Sequence, residues 1–392
     1  MQLQYIPLEQ QERFERYIYV PGLIYKFLGV DMRIKPQIHS KYLQIAVTLN
    51  LFIVVILQII HNVISEDTEE RLPNIIFNNY IIVGIGKILA IYYHRLAMAK
   101  AVDYLRVIYP SKAIERKYQL GDYFKFYSRL EMVIWTFYRM VGPSFLLLPL
   151  FQSFINIWLR GKFSFILPLH MWGFDEANIG ESSPWVLYIL YYLLGGWCCL
   201  SVGMSITACD LLLYGMIIQL CQHFDLNSKQ ILELSPGNEM EALEQLKKIG
   251  IQHQKIMELA KEVNRIFGPS IIFSVMSSSF ILCLVTYQML DDVPYFTILK
   301  SFILLLYESK QVIITCYMGQ KIMECSSLVN ESLYMHNWVD GSVKYRRHVL
   351  IMLLCTAQPF VLYIGGIADI TLVTLKVVYG NAYRLFTVFK ST

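Results

Sequence analysis

Seven ionisable side chains lie inside apolar stretches of this 392-residue chain: Lys87, Arg139, Asp210, Glu308, Lys310, Asp369 and Lys376. A charge in hydrocarbon is costly, so such residues face a water-filled path, pair with one another, or sit where a helix leaves the lipid. Asp210, Glu308 and Lys310 read as the last case, toward the cytosolic ends of their spans, and Lys87 can snorkel only partly. Asp369 and Lys376 are seven residues apart and would share a helix face. Two readings stand for that pair: lining an aqueous path, or pairing inside a helix bundle.

Other reactive groups point away from catalysis. Ser277, Ser278 and Ser279 form a run in mid-span with no nearby base, which suits hydrogen bonding rather than nucleophilic attack. The eight histidines are scattered, and no pair has zinc-ligand spacing. The adjacent Cys198 and Cys199 read as small apolar residues packing in a helix, and no cysteine falls in an expected external loop, so a disulfide framework is not expected. There is no nucleophile elbow, P-loop or dinucleotide fingerprint. The expectation is a protein without catalytic residues, cofactor or metal, and not an enzyme.

The composition is that of a membrane protein. It is 55% hydrophobic and 16% charged, where soluble domains carry about 25% charged residues, and its mean hydropathy is +0.44. Tyr (27) and Phe (22) are abundant enough for interfacial belts and an aromatic-walled cavity. Apolar stretches predict spans S1 near 42–62, S2 near 74–94, S3 near 130–158, S4 near 185–220, S5 near 264–289 and S6 near 296–319. The last stretch, 348–389, is too long for one helix; Gly365-Gly366 divides it into S7a near 348–364 and S7b near 367–389. The start of the chain lacks the basic and apolar regions of a cleavable signal. Leu243, Leu246 and Ile249 recur at a spacing of three in the S4–S5 connection, which predicts helices extending into the cytosol and packing there. A membrane-surface helix competes, but Glu239, Glu241 and Glu244 would be repelled by anionic lipid.

Loop charge predicts orientation, because Lys and Arg are retained in the cytosol. Basic residues crowd the N-terminal segment and the S2–S3, S4–S5 and S6–S7 connections. The alternate connections are acidic, with Glu66, Asp67, Glu69 and Glu70 in one, Asp175, Glu176 and Glu181 in the next, and Asp291-Asp292 in the third. The fold class expected is an all-α membrane protein of seven transmembrane helices with a cytosolic N-terminus and an extracellular C-terminus. That orientation is inverted relative to a G-protein-coupled receptor, whose Asp-Arg-Tyr and Asn-Pro-x-x-Tyr signatures are also missing. The sequon Asn330-Glu331-Ser332 falls on the cytosolic side and is not expected to be used. No internal repeat of an inverted-repeat transporter is visible.

The C-terminal fifth carries a family signature. The stretch Gly319 to Trp338, with Tyr334 four residues before Trp338, then Tyr345-Arg346-Arg347, the apolar run from Leu350 to Gln358-Pro359, and the passage Thr371 to Val388, resembles the end of insect odorant receptors. The gustatory family's Thr-Tyr-hydrophobics-Gln-Phe ending is missing, and the S4–S5 connection, about 222–263, is shorter than the co-receptor's. The family's Tyr-Ser near the end is Tyr383-Arg384 here.

The resemblance implies a ligand-tuned subunit of a heterotetrameric, odorant-gated, non-selective cation channel in the plasma membrane of olfactory neuron dendrites. Its partners would be the odorant receptor co-receptor, a small volatile odorant, membrane lipid and permeating cations, with no nucleic acid. The implied units are a cytosolic N-terminal segment (1–41), an S1–S6 bundle with the odorant pocket in its outer half (42–320), a cytosolic loop and S7a anchor (321–364), and the S7b pore helix with a short tail (365–392). Tyr334 and Trp338 belong to the subunit anchor. Val388 aligns with the hydrophobic gate, with Tyr383, Thr387 and Lys390 as pore neighbours. Placed on the outer half of S2–S6, the ligand-binding residues are Phe77, Tyr80, Ile81, Tyr138, Gly142, Phe145, Leu146, Tyr188, Tyr191, Tyr192, Gly195, Ser277, Phe280 and Phe302. Alternatives are a transporter of small hydrophobic solutes and a gustatory-type chemoreceptor channel.

Overall fold

The structure, a computed structural model, describes residues 8–30, 38–65, 68–161, 163, 165–173, 184–235, 239–290, 295–364 and 368–391. Ten helices and one two-residue β-ladder account for nearly all of these: α1 (Leu8–Phe27), α2 (Ile38–Ile64), α3 (Thr68–Ile108), α4 (Lys112–Lys117), α5 (Gly121–Arg160), α6 (Pro184–Leu232), α7 (Glu239–Leu290), α8 (Tyr295–Met335), α9 (Val343–Thr356), β1 (Tyr363–Ile364), β2 (Ala368–Asp369) and α10 (Leu372–Ser391). Spans S1 to S6 correspond to α2, α3, α5, α6, α7 and α8. Among the described residues, α2, α3, α5, α6 and α7 are long and apolar enough to cross a membrane. The remaining two, α8 and α10, are diluted by Lys300, Glu308 and Lys310 and by Lys376, Arg384 and Lys390.

Helix α6 is the axis of the bundle. From Ser205 to Phe224 every residue is buried, so the helix is enclosed on all sides rather than showing one face to the outside. Helices α1, α2, α3, α5, α7 and α8 all pack on it. The long reach of α6, α7 and α8 beyond bilayer length is as the sequence predicts, and Leu243, Leu246 and Ile249 are buried in the main core, which disfavours a surface-lying helix there. Much of the expected S6–S7 loop is helical, because α8 continues to Met335. Asn330 of the sequon is therefore on a helix; its Nδ2 donates to Leu353 O at 3.0 Å and Thr356 Oγ1 at 2.8 Å, holding α9.

The N-terminal segment contains a helix the sequence reading did not assign. Phe14, Tyr17, Ile24 and Tyr25 bury one face of α1 against α6, and Tyr127 Oη donates to Tyr17 O at 2.8 Å.

The last apolar stretch is divided, though not as expected. α9 begins five residues earlier than S7a and ends at Thr356, just before Gln358-Pro359. Proline has no N–H to continue a helix. The chain then runs extended into a ladder pairing Tyr363 with Asp369 and Ile364 with Ala368. The Gly365-Gly366 division lies outside the described residues. Asp369 stands in β2, before α10 begins, so it does not share a helix face with Lys376 as its spacing implied. Ile370 N donates to Leu362 O at 2.8 Å, and the Ile370 carbonyl lies against Gly319 of α8 so closely that no Cβ fits there.

Candidate functional site

Four helices contribute one stripe each to a cavity inside the bundle. Tyr80 and Phe77 come from α3; Tyr138, Val141, Gly142 and Phe145 from α5; Cys199, Val202, Gly203 and Ile206 from α6; Leu304 and Tyr307 from α8. Spacings of three, four and seven keep each set on one helix face. The open volume is about 40 Å³, so the walls are nearly closed on one another. The rings are interlocked: Phe77 and Phe145 have centroids 5.0 Å apart at 59°, and Tyr80 and Tyr307 are 6.5 Å apart. A Cβ at Gly203 would stand 2.9 Å from Tyr138, so glycine is what lets that ring lie across the cavity. Among the described residues, Tyr138 Oη is buried without a hydrogen-bond partner.

Beneath the cavity lies a buried ionic layer. Lys87 Nζ is 2.5 Å from Asp210 Oδ1, with both side chains nearly enclosed. Glu308 accepts from Tyr80 Oη at 2.9 Å and from Ser278 Oγ. Lys310 Nζ sits over the Tyr307 ring, 4.2 Å from its centroid. The sequence reading put Asp210, Glu308 and Lys310 where their helices leave the lipid. The structure instead gathers them with Lys87 as a neutralising set, since a buried charge must be paired and hydrogen-bonded. Of the other intramembrane charges, Arg139 and Lys376 are exposed on the outside of the bundle.

A second, wider cavity of about 210 Å³ adjoins the first at the end covered by residues 166–170, the segment between α5 and α6. The two share Phe77, Phe145 and Leu304.

Five expected binding residues line the inner cavity: Phe77, Tyr80, Tyr138, Gly142 and Phe145. The others stand elsewhere. Ile81 is fully buried in the main core. Tyr192 Oη donates to the Leu146 carbonyl, locking α6 to α5, and Leu146 packs on Gly196. Tyr188 Oη donates to Ile166 O at 3.2 Å and Tyr191 Oη to Trp172 O at 3.1 Å, while Gly195 lies under Met171 and Leu169. Tyr188, Tyr191 and Gly195 thus contact the α5–α6 segment and Tyr192 contacts α5, rather than the cavity. Ser277 Oγ donates to Ser274 O on its own helix, Phe280 packs against the core, and Phe302 is exposed. Val141, Cys199, Val202, Gly203, Ile206, Leu304 and Tyr307 were not anticipated. The signal for most of them was present: Val202, Gly203 and Ile206 share the face of Asp210, and Leu304 that of Glu308, and a buried charge fixes which face turns inward.

Helix α10 is held from one side. Thr374, Val378 and Ala382 are buried, the last two with Leu282, Val312 and Cys316 of α7 and α8. Lys376, Tyr383, Thr387 and Lys390 fall on the opposite face and are exposed, as is Val388. In the expected anchor, Tyr334 is exposed, and Trp338 Nε1 donates to its carbonyl at 3.3 Å.

The helical bundle matches known proteins. Residues 67–383 match the family model described as 7tm Odorant receptor, which is most of the chain. The chain belongs to the odorant receptor family. It is 26% identical to Odorant receptor 85c of Drosophila melanogaster over 373 residues, covering 91% of this chain and 92% of that one. It is 25% identical to Odorant receptor 85b of the same species over 340 residues, covering 82% of each. The receptor's fold is that of the insect olfactory receptor OR5 from Machilis hrabei, with a TM-score of 0.80 at 14% identity, covering 97% of this chain and 99% of that chain. The structure of that protein in complex with eugenol matches equally well. The family is one of membrane-spanning receptors, not enzymes.

Proposed function

We propose that this receptor is the odorant-binding subunit of a heteromeric, ligand-gated, non-selective cation channel that it forms with the odorant receptor co-receptor. A small volatile enters the cavity walled by Phe77, Tyr80, Tyr138, Phe145 and Tyr307, with Tyr138 Oη as a hydrogen-bond group for it. The neighbouring protein solved with eugenol supports a small volatile as the ligand class. Helix α10 lines the pore with Lys376, Tyr383 and Thr387 on its free face, Val388 forms the hydrophobic constriction, and Lys390 sits at the external mouth. Tyr334 and Trp338 belong to the anchor between subunits, with α9 and the lower parts of α6 to α8. The basic loops support a cytosolic N-terminus, and the family supports placement in the dendritic membrane of olfactory neurons.

The observation that carries this reading is a continuous contact route from cavity to α10. Tyr80, a wall residue, donates to Glu308; Ser278 donates to the same carboxylate; and the adjacent Ser279 Oγ donates to Val378 O of α10 at 3.3 Å. A ligand gates only by binding one state better than another. Moving the Tyr80 and Tyr307 rings to admit a ligand shifts the groups that hold α10, and dewetting at Val388 is relieved as α10 moves. Co-expression with the co-receptor tests it: volatile-evoked cation current that requires both subunits is expected, and saturable uptake without conductance would favour the transporter alternative.

A further inference from the structure

The wider cavity next to the aromatic one is chemically different from it. Three helices set out the same depth order. On α8, Lys300 and Ser301 face the wider cavity, Leu304 borders both, and Tyr307 faces the inner one. On α3 the order is Asn74, Phe77, Tyr80, and on α5, running the other way, Gln152, Phe145, Tyr138. α7 adds Gln288 to the wider cavity alone. Phe77, Phe145 and Leu304 thus form a partition with an apolar chamber on one side and a polar one on the other.

The polar chamber is built to donate hydrogen bonds. Among the described residues its lining has one cation, Lys300, and no carboxylate. Among the described residues Lys300 has no ion-pair partner, although it is half-buried. Ser301 Oγ donates to Gln288 Oε1 at 3.0 Å, which anchors that amide by its oxygen, with its two N–H groups as donors. Asn74 is already engaged, with Asn62, Gln58 and the His170 carbonyl, so it acts as wall rather than recognition group. Lys300 lines the wider cavity one helical turn from Leu304 of the partition.

We propose that this chamber is a second subsite that holds the acceptor oxygen of an oxygenated volatile, with Lys300 and Gln288 donating to it, while the ligand's hydrocarbon tail passes the Phe77–Phe145–Leu304 partition into the aromatic chamber. This deepens the receptor reading and rests on it. The ligand class is a linear ketone, ester or carboxylate. A pure hydrocarbon leaves the donors unsatisfied, and an alkyl ammonium meets a like charge. A hydrogen bond from a charged donor discriminates by roughly tenfold or more.

The test is current from the full-length receptor co-expressed with its co-receptor, using eight-carbon probes that differ only in the head: octane, octylamine, 2-octanone and octanoate. The wild type is expected to respond to 2-octanone or octanoate at concentrations at least about tenfold below octane, with octylamine weakest. Lys300→Met and Lys300→Gln should each raise the half-maximal concentration for the oxygenated probes about tenfold while moving octane less than about twofold, and Lys300→Arg should retain most of the preference. Surface labelling confirms that each variant is present, and Gln288→Leu gives an independent reading from another helix. An unchanged ratio of oxygenated to hydrocarbon response in the Lys300 variants overturns the subsite and leaves the receptor reading standing. So does silence to all four probes in a receptor that other volatiles activate. Silence to a broad volatile panel overturns both.

Discussion

Tyr80 Oη donates to Glu308 Oε2 across 2.9 Å, joining the wall of the aromatic cavity on α3 to a buried carboxylate on α8. The same ring is therefore both a wall of the cavity and, in the proposed gating route, the first link toward α10. Tyr80→Phe keeps the ring and removes only the donor. A buried hydrogen bond to a charged group contributes about 1.5–3 kcal/mol. The variant should reach the membrane at near-normal level but show a shifted dose–response, by about tenfold or more. Concentration–response curves for one active volatile check this; an unchanged curve would separate ligand binding from Glu308.

Lys87 and Asp210 neutralise one another at the centre of the bundle. Removing one partner leaves a lone buried charge, which costs about 3–5 kcal/mol, whereas replacing both with apolar residues of similar size is often neutral. Lys87→Met should therefore lower surface expression sharply, and Lys87→Met with Asp210→Leu should recover much of it. Thermal unfolding of the detergent-purified proteins, compared as a double-mutant cycle, measures the coupling.

Those charges also explain what the sequence could and could not disclose. Long apolar stretches placed α2, α3, α5, α6, α7, α8 and α10, because length and hydropathy are local properties, but not α1, which is not apolar along its length. Phe77, Tyr80, Tyr138, Gly142 and Phe145 were legible because α3 and α5 each turn a single aromatic stripe inward. On α6, Tyr188 and Tyr192 were on the right face but too far along it; they bind the α5–α6 segment and α5, and the cavity begins at Cys199, about two to three turns deeper. Depth along a helix is set by its neighbours, which a single stretch does not contain. On α8, Phe302 was chosen for its ring, although Glu308 turns the opposite side inward, where Leu304 stands. The ladder at Tyr363–Ile364 and Ala368–Asp369 is too short to leave any periodicity.

Gly319 opens the signature stretch, and the structure gives it a reason. The Ile370 carbonyl, at the approach to α10, occupies the space a Cβ would need, and backbone cannot rotate aside as a side chain can. Gly319→Ala should cost about 1–3 kcal/mol through overpacking. It should also alter gating more than ligand affinity, because the displaced element leads directly into α10. Single-channel open probability at saturating volatile, set beside surface level, distinguishes the two effects.

The free face of α10 carries Lys376 and Lys390, both exposed. If that face lines a pore, two positive rings oppose cation entry. Lys390→Gln and Lys376→Gln should each raise single-channel cation conductance, by up to about twofold, with little change in ligand sensitivity, and more so at low ionic strength where screening is weak. Conductance measured at two salt concentrations checks this; no change in either variant would place this face away from the ion path.

His336 links the end of α8 to α9. Its Nδ1 is 2.8 Å from Leu333 O, which can only accept, so Nδ1 carries the proton and Nε2 accepts from Tyr345 Oη at 3.1 Å. Burial holds its pKa below the ordinary value of about 6.5, outweighing the backbone carbonyls that favour the charged ring. The folded state thus binds a proton less readily than the unfolded chain. Stability from this site is complete above about pH 6.5 and falls as pH drops below it. Unfolding midpoints between pH 7.5 and 5.5 should fall more in the wild type than in His336→Gln.

The central claim is that a volatile inside the aromatic cavity opens a cation path. Gly142 offers the most direct test, because it lines that cavity and an added Cβ would meet Tyr138 and Leu200 only at ordinary contact distances of 3.6 and 3.7 Å. A Gly142→Leu side chain is larger than the roughly 40 Å³ open there, so it fills the cavity and presses on its walls. Volatile-evoked current is recorded from cells co-expressing the co-receptor with either wild type or Gly142→Leu, at matched surface level. Robust current is expected in the wild type, with a loss of at least about tenfold in sensitivity in the variant. Equal currents from both would contradict it.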